Sequence, residues 1–151
     1  MWKKGLPPWT KYLILKFEFR IPNVDILQLD VTNENHIARA AEHVKQKYGK
    51  LELLINNAGL LHPSGKGETR LSDVKFEDMQ TLFNINAAGP LIMAKYFAPL
   101  LQKGNGSIGI PGSQKSILAN ITARAGSLED NKLGGWYGYR MAKCALNMAN
   151  K

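Results

Sequence analysis

The alternation of apolar and polar positions divides the chain into short apolar runs and longer stretches of helical period. Residues 12–19 carry large apolar and aromatic side chains in partial alternation, which predicts a strand, and Pro22-Asn23 then breaks the chain. Residues 24–29 form a short apolar run ending at Asp30, and this predicts a second, buried or half-buried strand. After it, Thr32 is placed to cap a helix. In that helix Ile37, Ala40, Ala41 and Val44 recur at helical spacing and Gly49 stands where the helix should stop. Residues 51–55 read as a buried strand that runs straight into the polar turn Asn56-Asn57-Ala58-Gly59.

A long loop through Ser64, Gly65 and Gly67 leads to residues 74–101. There Phe76, Met79, Leu82, Phe83, Ile85, Leu91, Ala94, Phe97 and Leu100 suit a long helical segment perturbed near Gly89-Pro90. A glycine-rich loop at 104–113, a third buried strand at 116–122 and a helical pattern from Trp136 onward complete the series. Strands alternating with helices argue for a parallel sheet flanked by helices, so the predicted fold class is α/β. Residues 1–9, with Pro7-Pro8 and no periodicity, read as an arm.

Composition bounds this picture. With 151 residues, 44% apolar and 21% charged, the chain suits one compact domain with a sizeable core. No apolar run is long enough for a membrane-spanning helix, so no membrane partner is expected. One cysteine, Cys144, cannot form an internal disulfide, and we expect a cytoplasmic protein. The net charge of +8 is concentrated at the amino end, where Lys3, Lys4, Lys11, Lys16 and Arg20 face only Glu18. That end is poor in Ser and Arg and has no secretory core, which argues against a targeting peptide. No basic stripe with interleaved aromatics appears, so nucleic acid is not an expected partner. His36, His43 and His62 have no zinc-ligand spacing with Cys144, and no metal is expected. Asn120-Ile121-Thr122 has the form of a glycosylation sequon, but it falls on a predicted buried strand.

The strongest chemical signal is Tyr139-Arg140-Met141-Ala142-Lys143, because a four-residue step on a helix puts the phenol and the ammonium on one face. Alone, such a pair is as well explained by surface packing. It is joined by Leu29-Asp30-Val31-Thr32, by Asn56-Asn57-Ala58-Gly59, by Asn84-Ile85-Asn86-Ala87-Ala88-Gly89-Pro90, and by the segment from Asn120 to Lys143. In order and interval these blocks resemble the short-chain dehydrogenase/reductase family from Val24 onward. The run from Gly126 to Arg140 is most similar to its C-factor or sniffer-type carbonyl reductases.

The resemblance implies a partial Rossmann-type, doubly wound parallel sheet at residues 24–151, with residues 1–23 a divergent basic segment. It implies reduction of a small aldehyde or ketone with NADP or NAD as cofactor, NADP being slightly favoured by the subgroup. Tyr139 would protonate the carbonyl oxygen. A phenol with a pKa of about 10 is a poor acid-base group at neutral pH, and Lys143 would lower that value while also bonding the nicotinamide ribose. Ser127, twelve residues before Tyr139, would orient the substrate carbonyl, with Thr122 as the rival hydroxyl. Asn86 would help hold a water in a proton relay from the lysine. Asp30 and Val31 match positions that contact adenine, while Asn57, Ala58 and Gly59 match the turn beside the cofactor. An Asn-rich turn can also serve only to satisfy buried backbone groups.

One departure shapes the expectation. The family opens with a strand and a Thr-Gly-x-x-x-Gly-x-Gly turn that lets the backbone approach a pyrophosphate, and this sequence contains no such turn. It also ends within the helix that carries Tyr139, so the later strands and the segment that covers the substrate are expected to be missing. In the family's strand order, 3-2-1-4-5-6-7, the missing strands would lie between the 24–29 strand and the 51–55 strand, leaving a gap. The alternatives to an oxidoreductase are a catalytically inactive truncated homologue that forms a homo- or heterodimer through the long helices, and an incomplete gene product.

Overall fold

The computed structural model describes residues 23–106, 108 and 115–150. The strand expected at 12–19, the arm at 1–9 and much of the glycine-rich loop lie outside these. Six principal elements follow in chain order: α1 (Glu34–Tyr48), β1 (Leu53–Asn56), α2 (Phe76–Phe83), α3 (Gly89–Leu101), β2 (Ile117–Asn120) and α4 (Tyr137–Ala149). Single helical turns at Leu71–Asp73 and Arg124–Gly126 and a π turn at Asn84–Ala88 connect them.

Helix α1 forms where its periodicity placed it, but its cap is Asn33 rather than Thr32. The Asn33 side chain accepts from the backbone N–H groups of Asn35 and His36. Thr32 instead donates its hydroxyl to Asp30 Oδ1 at 2.7 Å. An asparagine with extended backbone directly before the first turn reaches the unsatisfied N–H groups, whereas a residue one position earlier does not. At the other end Gly49 has φ 73°, and its N–H donates to the carbonyls of Val44 and Lys45. Only a residue without a β-carbon takes that left-handed turn freely.

β1 and β2 pair in parallel, with Leu53 opposite Ile117 and Asn56 opposite Asn120. The helices α2 and α3 make the crossover that a parallel pair requires. The second predicted strand is corrected: residues 24–29 form no ladder, and Val24, Ile26 and Leu27 are exposed. Strand geometry depends on a neighbour to bond with, and among the described residues none lies beside this run. It is anchored through side chains instead, Asp25 accepting from Lys47 Nζ at 2.6 Å and from the Tyr48 hydroxyl at 2.6 Å. These contacts hold the Asp25 carboxyl at a pKa of about 2, the hydrogen bond from Lys47 being the largest cause. β1 also begins two residues later than predicted, because the Leu51 N–H donates to the Leu100 carbonyl at the end of α3.

The core gathers Ile37, Ala40 and Ala41 of α1, Leu54 of β1, and Met93, Phe97 and Leu100 of α3. A second buried group, Leu82 of α2 with Ala142 and Leu146 of α4, lies where α4 packs on α2 and the π turn. The arrangement is a partial Rossmann-type α/β fold. No helix among the described residues is long and apolar enough to cross a membrane.

The interruption predicted near Gly89-Pro90 falls one turn earlier, as the π turn. Pro90 has no N–H to donate, and the Gly89 N–H reaches back to the Asn84 carbonyl, one residue beyond the α-helical partner.

Truncating Phe97, which is 4% exposed at the centre of the core, should lower the unfolding free energy by about 3–5 kcal/mol, as a cavity replaces the ring. Removing the Asn33 cap should cost about 1 kcal/mol. Urea unfolding of Phe97→Ala and Asn33→Ala followed by circular dichroism checks both.

Candidate active site

Helix α4 buries Gly138, Ala142 and Leu146, a stripe of small and apolar residues at four-residue spacing. Tyr139 and Lys143 lie on the neighbouring stripe. The lysine stem turns inward, leaving Lys143 only 4% exposed, and Nζ donates to the Ile121 carbonyl at 2.8 Å. Burial away from water disfavours the charged form and holds the Lys143 pKa below its ordinary value of 10.5. The ammonium lies 5.7 Å from the centre of the Tyr139 ring, and that ring meets the Trp136 indole edge-on at 6.3 Å.

Asn86, in the π turn, is completely buried. Its carboxamide accepts from Leu60 N at 3.0 Å and donates to Leu60 O at 2.8 Å and to Leu82 O at 3.0 Å. This is a side-chain imitation of a strand ladder: one amide satisfies both backbone groups of Leu60 and fixes the chain that leaves β1. Gly59 is thereby held so close that a β-carbon there would lie 3.2 Å from Asn86 Oδ1 and 3.7 Å from Lys143 Nζ. The structure therefore brings together Tyr139, Lys143, Asn86 and Gly59. Asn57 and Ala58 are exposed in the same turn.

Ser127 follows the Arg124–Gly126 turn, is half-buried, and accepts from Asp130 N at 3.3 Å. With Phe83, Leu128, Arg140, Cys144 and Met148 it lines a largely apolar cavity of about 510 Å³, whose walls do not include Tyr139 or Lys143. Thr122, the rival hydroxyl, is exposed and donates to Asn147 Oδ1 at 2.6 Å.

Asp30 is placed apart from the tyrosine and lysine. Its Oδ1 accepts from the backbone and hydroxyl of Thr32, and its N–H donates to His36 Nδ1, so it organises the entry to α1. Val31 lies against the helix start, where a β-carbon on Gly89 would be 3.1 Å from the Val31 carbonyl. Three participants gave no signal in the sequence reading: the carbonyl of Ile121, both backbone groups of Leu60, and Glu68, a buried carboxylate beside the start of α4. Backbone atoms have no residue signature, and Glu68 sits in a stretch whose composition reads only as loop.

Comparison with known proteins places these features in a lineage. Residues 15–124 match the family model described as enoyl-(acyl carrier protein) reductase. C-signal of Myxococcus xanthus is 43% identical over 101 residues, 67% of this chain and 53% of that protein. Carbonyl reductase Sniffer of D. melanogaster has the same fold, with a TM-score of 0.73 at 30% identity over 84% of this chain and 51% of its own. The NADPH-bound carbonyl reductase from chicken fatty liver gives 0.70 at 32% identity, over 84% of this chain and 50% of that one. The chain thus spans about half the length of the relatives it matches.

Because Lys143 loses its proton more readily folded than unfolded, the unfolded chain binds more protons between the folded pKa and 10.5, and stability should rise with pH across that interval. The stability difference between wild type and Lys143→Met, measured by urea unfolding at successive alkaline pH values, should shift towards wild type as pH rises.

Proposed function

The chain belongs to the short-chain dehydrogenase/reductase family, and on that premise we propose that it contributes the reacting centre of a carbonyl reductase that uses NADPH or NADH. The observation that carries this reading is the buried Lys143 ammonium one helical turn from Tyr139 and 5.7 Å from its ring.

The residues fit a nicotinamide dinucleotide at the Lys143 end and less well at Asp30. An ammonium has three N–H groups, and one of those on Lys143 is committed to Ile121 O, leaving two for ribose hydroxyls. The exposed turn of Asn57, Ala58 and Gly59 adjoins that ammonium, and its backbone would flank the ribose. Asp30 Oδ1 is committed to Thr32, so an adenine contact there would fall to Oδ2 and to the backbone at Val31. When bound, the dinucleotide supplies the hydride that adds to the carbonyl carbon. The likeness to carbonyl reductases, one of which is described as NADPH-bound, is the support for preferring NADPH to NADH in this reading.

The chain's own part is proton delivery and orientation. Tyr139 gives its hydroxyl proton to the carbonyl oxygen, so that oxygen becomes the hydroxyl of the product alcohol and the phenol is left as phenolate. Lys143, held by Ile121, keeps a positive charge beside that ring. Asn86 holds Gly59 against Lys143 and keeps bulky groups from the space between them. Ser127 donates to the same carbonyl oxygen, and the apolar cavity it lines with Phe83, Leu128 and Met148 would take the remainder of a small aldehyde or ketone whose carbonyl extends beyond that cavity to Tyr139.

Titration of the purified chain with NADPH and NADH, read by nicotinamide fluorescence alongside circular dichroism, tests this reading. Saturable binding should be unchanged in Tyr139→Phe and weakened in Lys143→Ala. Turnover of a small aldehyde should fall by about 10²- to 10⁴-fold in Tyr139→Phe, the usual worth of a positioned acid. A folded wild-type chain that binds neither nucleotide at millimolar concentration would sink the proposal.

A further inference from the structure

Helix α4 starts without a cap of its own. The residue at its amino end, Trp136, has left-handed backbone angles (φ 51°, ψ 42°) and its side chain makes no capping hydrogen bond. The N–H groups of a first helical turn have no partner within the helix and must find one elsewhere. Here a single residue, distant in sequence, satisfies two of them. The Glu68 carbonyl accepts from Trp136 N at 2.7 Å, and Glu68 Oε1 accepts from Gly138 N at 3.2 Å.

The surroundings are shaped to this contact. Glu68 is 3% exposed, and its Oε2 has no hydrogen-bond partner among the described residues. A β-carbon on Gly138 would sit 2.7 Å from Leu82 Cδ1 and 3.2 Å from Glu68 Oε1, so the close approach needs glycine. A β-carbon on Gly67 would lie 2.3 Å from Trp136 Cδ1, so the indole lies directly across the backbone before Glu68. An acidic group buried with an unpartnered oxygen would be displaced by an apolar side chain if packing were its only purpose. At a helix amino terminus the peptide dipoles favour a carboxylate, and the residue following Gly138 is Tyr139.

We propose that Glu68 is a positioning residue for the Tyr139–Lys143 pair. It is a helix cap supplied from the loop between β1 and α2, and it sets the depth and rotation of α4 so that the phenol and the ammonium meet the floor formed by Ile121 O, Asn86 and Gly59. The same loop leaves the Gly59 turn, so one segment shapes both sides of the site. The inference rests on the reading of Tyr139 and Lys143 as the reacting pair, but the cap itself has a readout that needs no turnover.

The test compares wild type with Glu68→Ala and Glu68→Gln. Glutamine keeps an acceptor at the Oε1 position and alanine removes it. Amide hydrogen exchange at Trp136 and Gly138 reads the cap, and the near-ultraviolet dichroism of the edge-on Trp136–Tyr139 pair reads the pose. Aldehyde reduction is resolved into kcat and KM. Glu68→Ala should speed exchange in the first turn of α4 by about tenfold and collapse the dichroic signal. It should also lower kcat by about ten- to hundredfold while KM and the NADPH dissociation constant change little, because the pair is misplaced rather than removed. Glu68→Gln should recover most of each loss, and it carries the test if the alanine variant does not fold. Unchanged exchange and dichroism in folded Glu68→Ala would overturn the proposal, as would a Glu68→Gln variant as impaired as alanine or a kcat that survives loss of the cap. If the wild type turns over no aldehyde, the reading of the reacting pair fails by itself, and exchange and dichroism still decide whether Glu68 sets the pose of α4.

Discussion

The buried ammonium of Lys143 is the constraint on which the site depends. A lysine removed from water must give its N–H groups to acceptors, and the acceptor available is the carbonyl of Ile121, the residue immediately after β2. Ile121 is itself held, because its N–H donates to the Asn56 carbonyl and so extends the β1–β2 ladder by one step. The charge on α4 is thereby referred to the end of the sheet. Tyr139, one turn earlier on the same helix, inherits its place from that bond, and the Gly59 turn closes the space in front of it.

Asparagines carry the same reference outward. Asn56 and Asn120 face each other in the ladder register, and Asn56 Nδ2 donates to Asn120 Oδ1 at 2.7 Å and to the Pro90 carbonyl at 3.3 Å. Asn120 Nδ2 donates in turn to Asn150 Oδ1 just beyond α4, and Asn147 Nδ2 donates to the Gly126 carbonyl next to Ser127. A carboxamide can both donate and accept, as Asn120 does here, so Asn56, Asn120 and Asn150 join β1, β2, α3 and the end of α4 through uncharged groups. This stitching lies at the carboxyl ends of two parallel strands, where an open α/β sheet leaves its crevice. Two paired strands among the described residues are a small foundation, and the polar links at their end explain how they can still position side chains from four separate segments.

Much of this was legible in the sequence, and what was not has definite physical reasons. The period of Ile37, Ala40 and Ala41 located α1, and the four-residue spacing of Tyr139 and Lys143 on an amphipathic helix placed the two side chains together, because both are properties of one element. The run at 24–29 looked equally like a strand, yet pairing is a property of two segments, and apolar character cannot supply the second. Thr32 and Asn33 are both good caps by residue type, and only the backbone path decides between them. The partners of Lys143 and Asn86 are backbone groups of Ile121 and Leu60, which any residue could provide. Asp30 matched a family position by type, and that type alone could not show that one of its carboxylate oxygens also accepts from Thr32.

Arg140 shows how neighbouring residues on one helix divide the work of registration. Tyr139 points towards Lys143, and a step of one residue turns Arg140 about 100° away, towards the loops. There Nε donates to the Gly135 carbonyl at 3.0 Å, one terminal nitrogen to Gly134 O at 3.3 Å, and the other to Ala125 O at a looser 3.5 Å. A planar guanidinium can reach several carbonyls at once, where an ammonium on a flexible stem would hold them less rigidly. Ala125 lies two residues before Ser127, and Gly134 and Gly135 lie just before α4, so this one fork fixes both segments against the helix that carries the phenol. The position of Ser127 relative to Tyr139 is therefore set from α4 itself, by Arg140 on the Ala125 carbonyl and by Asn147 on the Gly126 carbonyl.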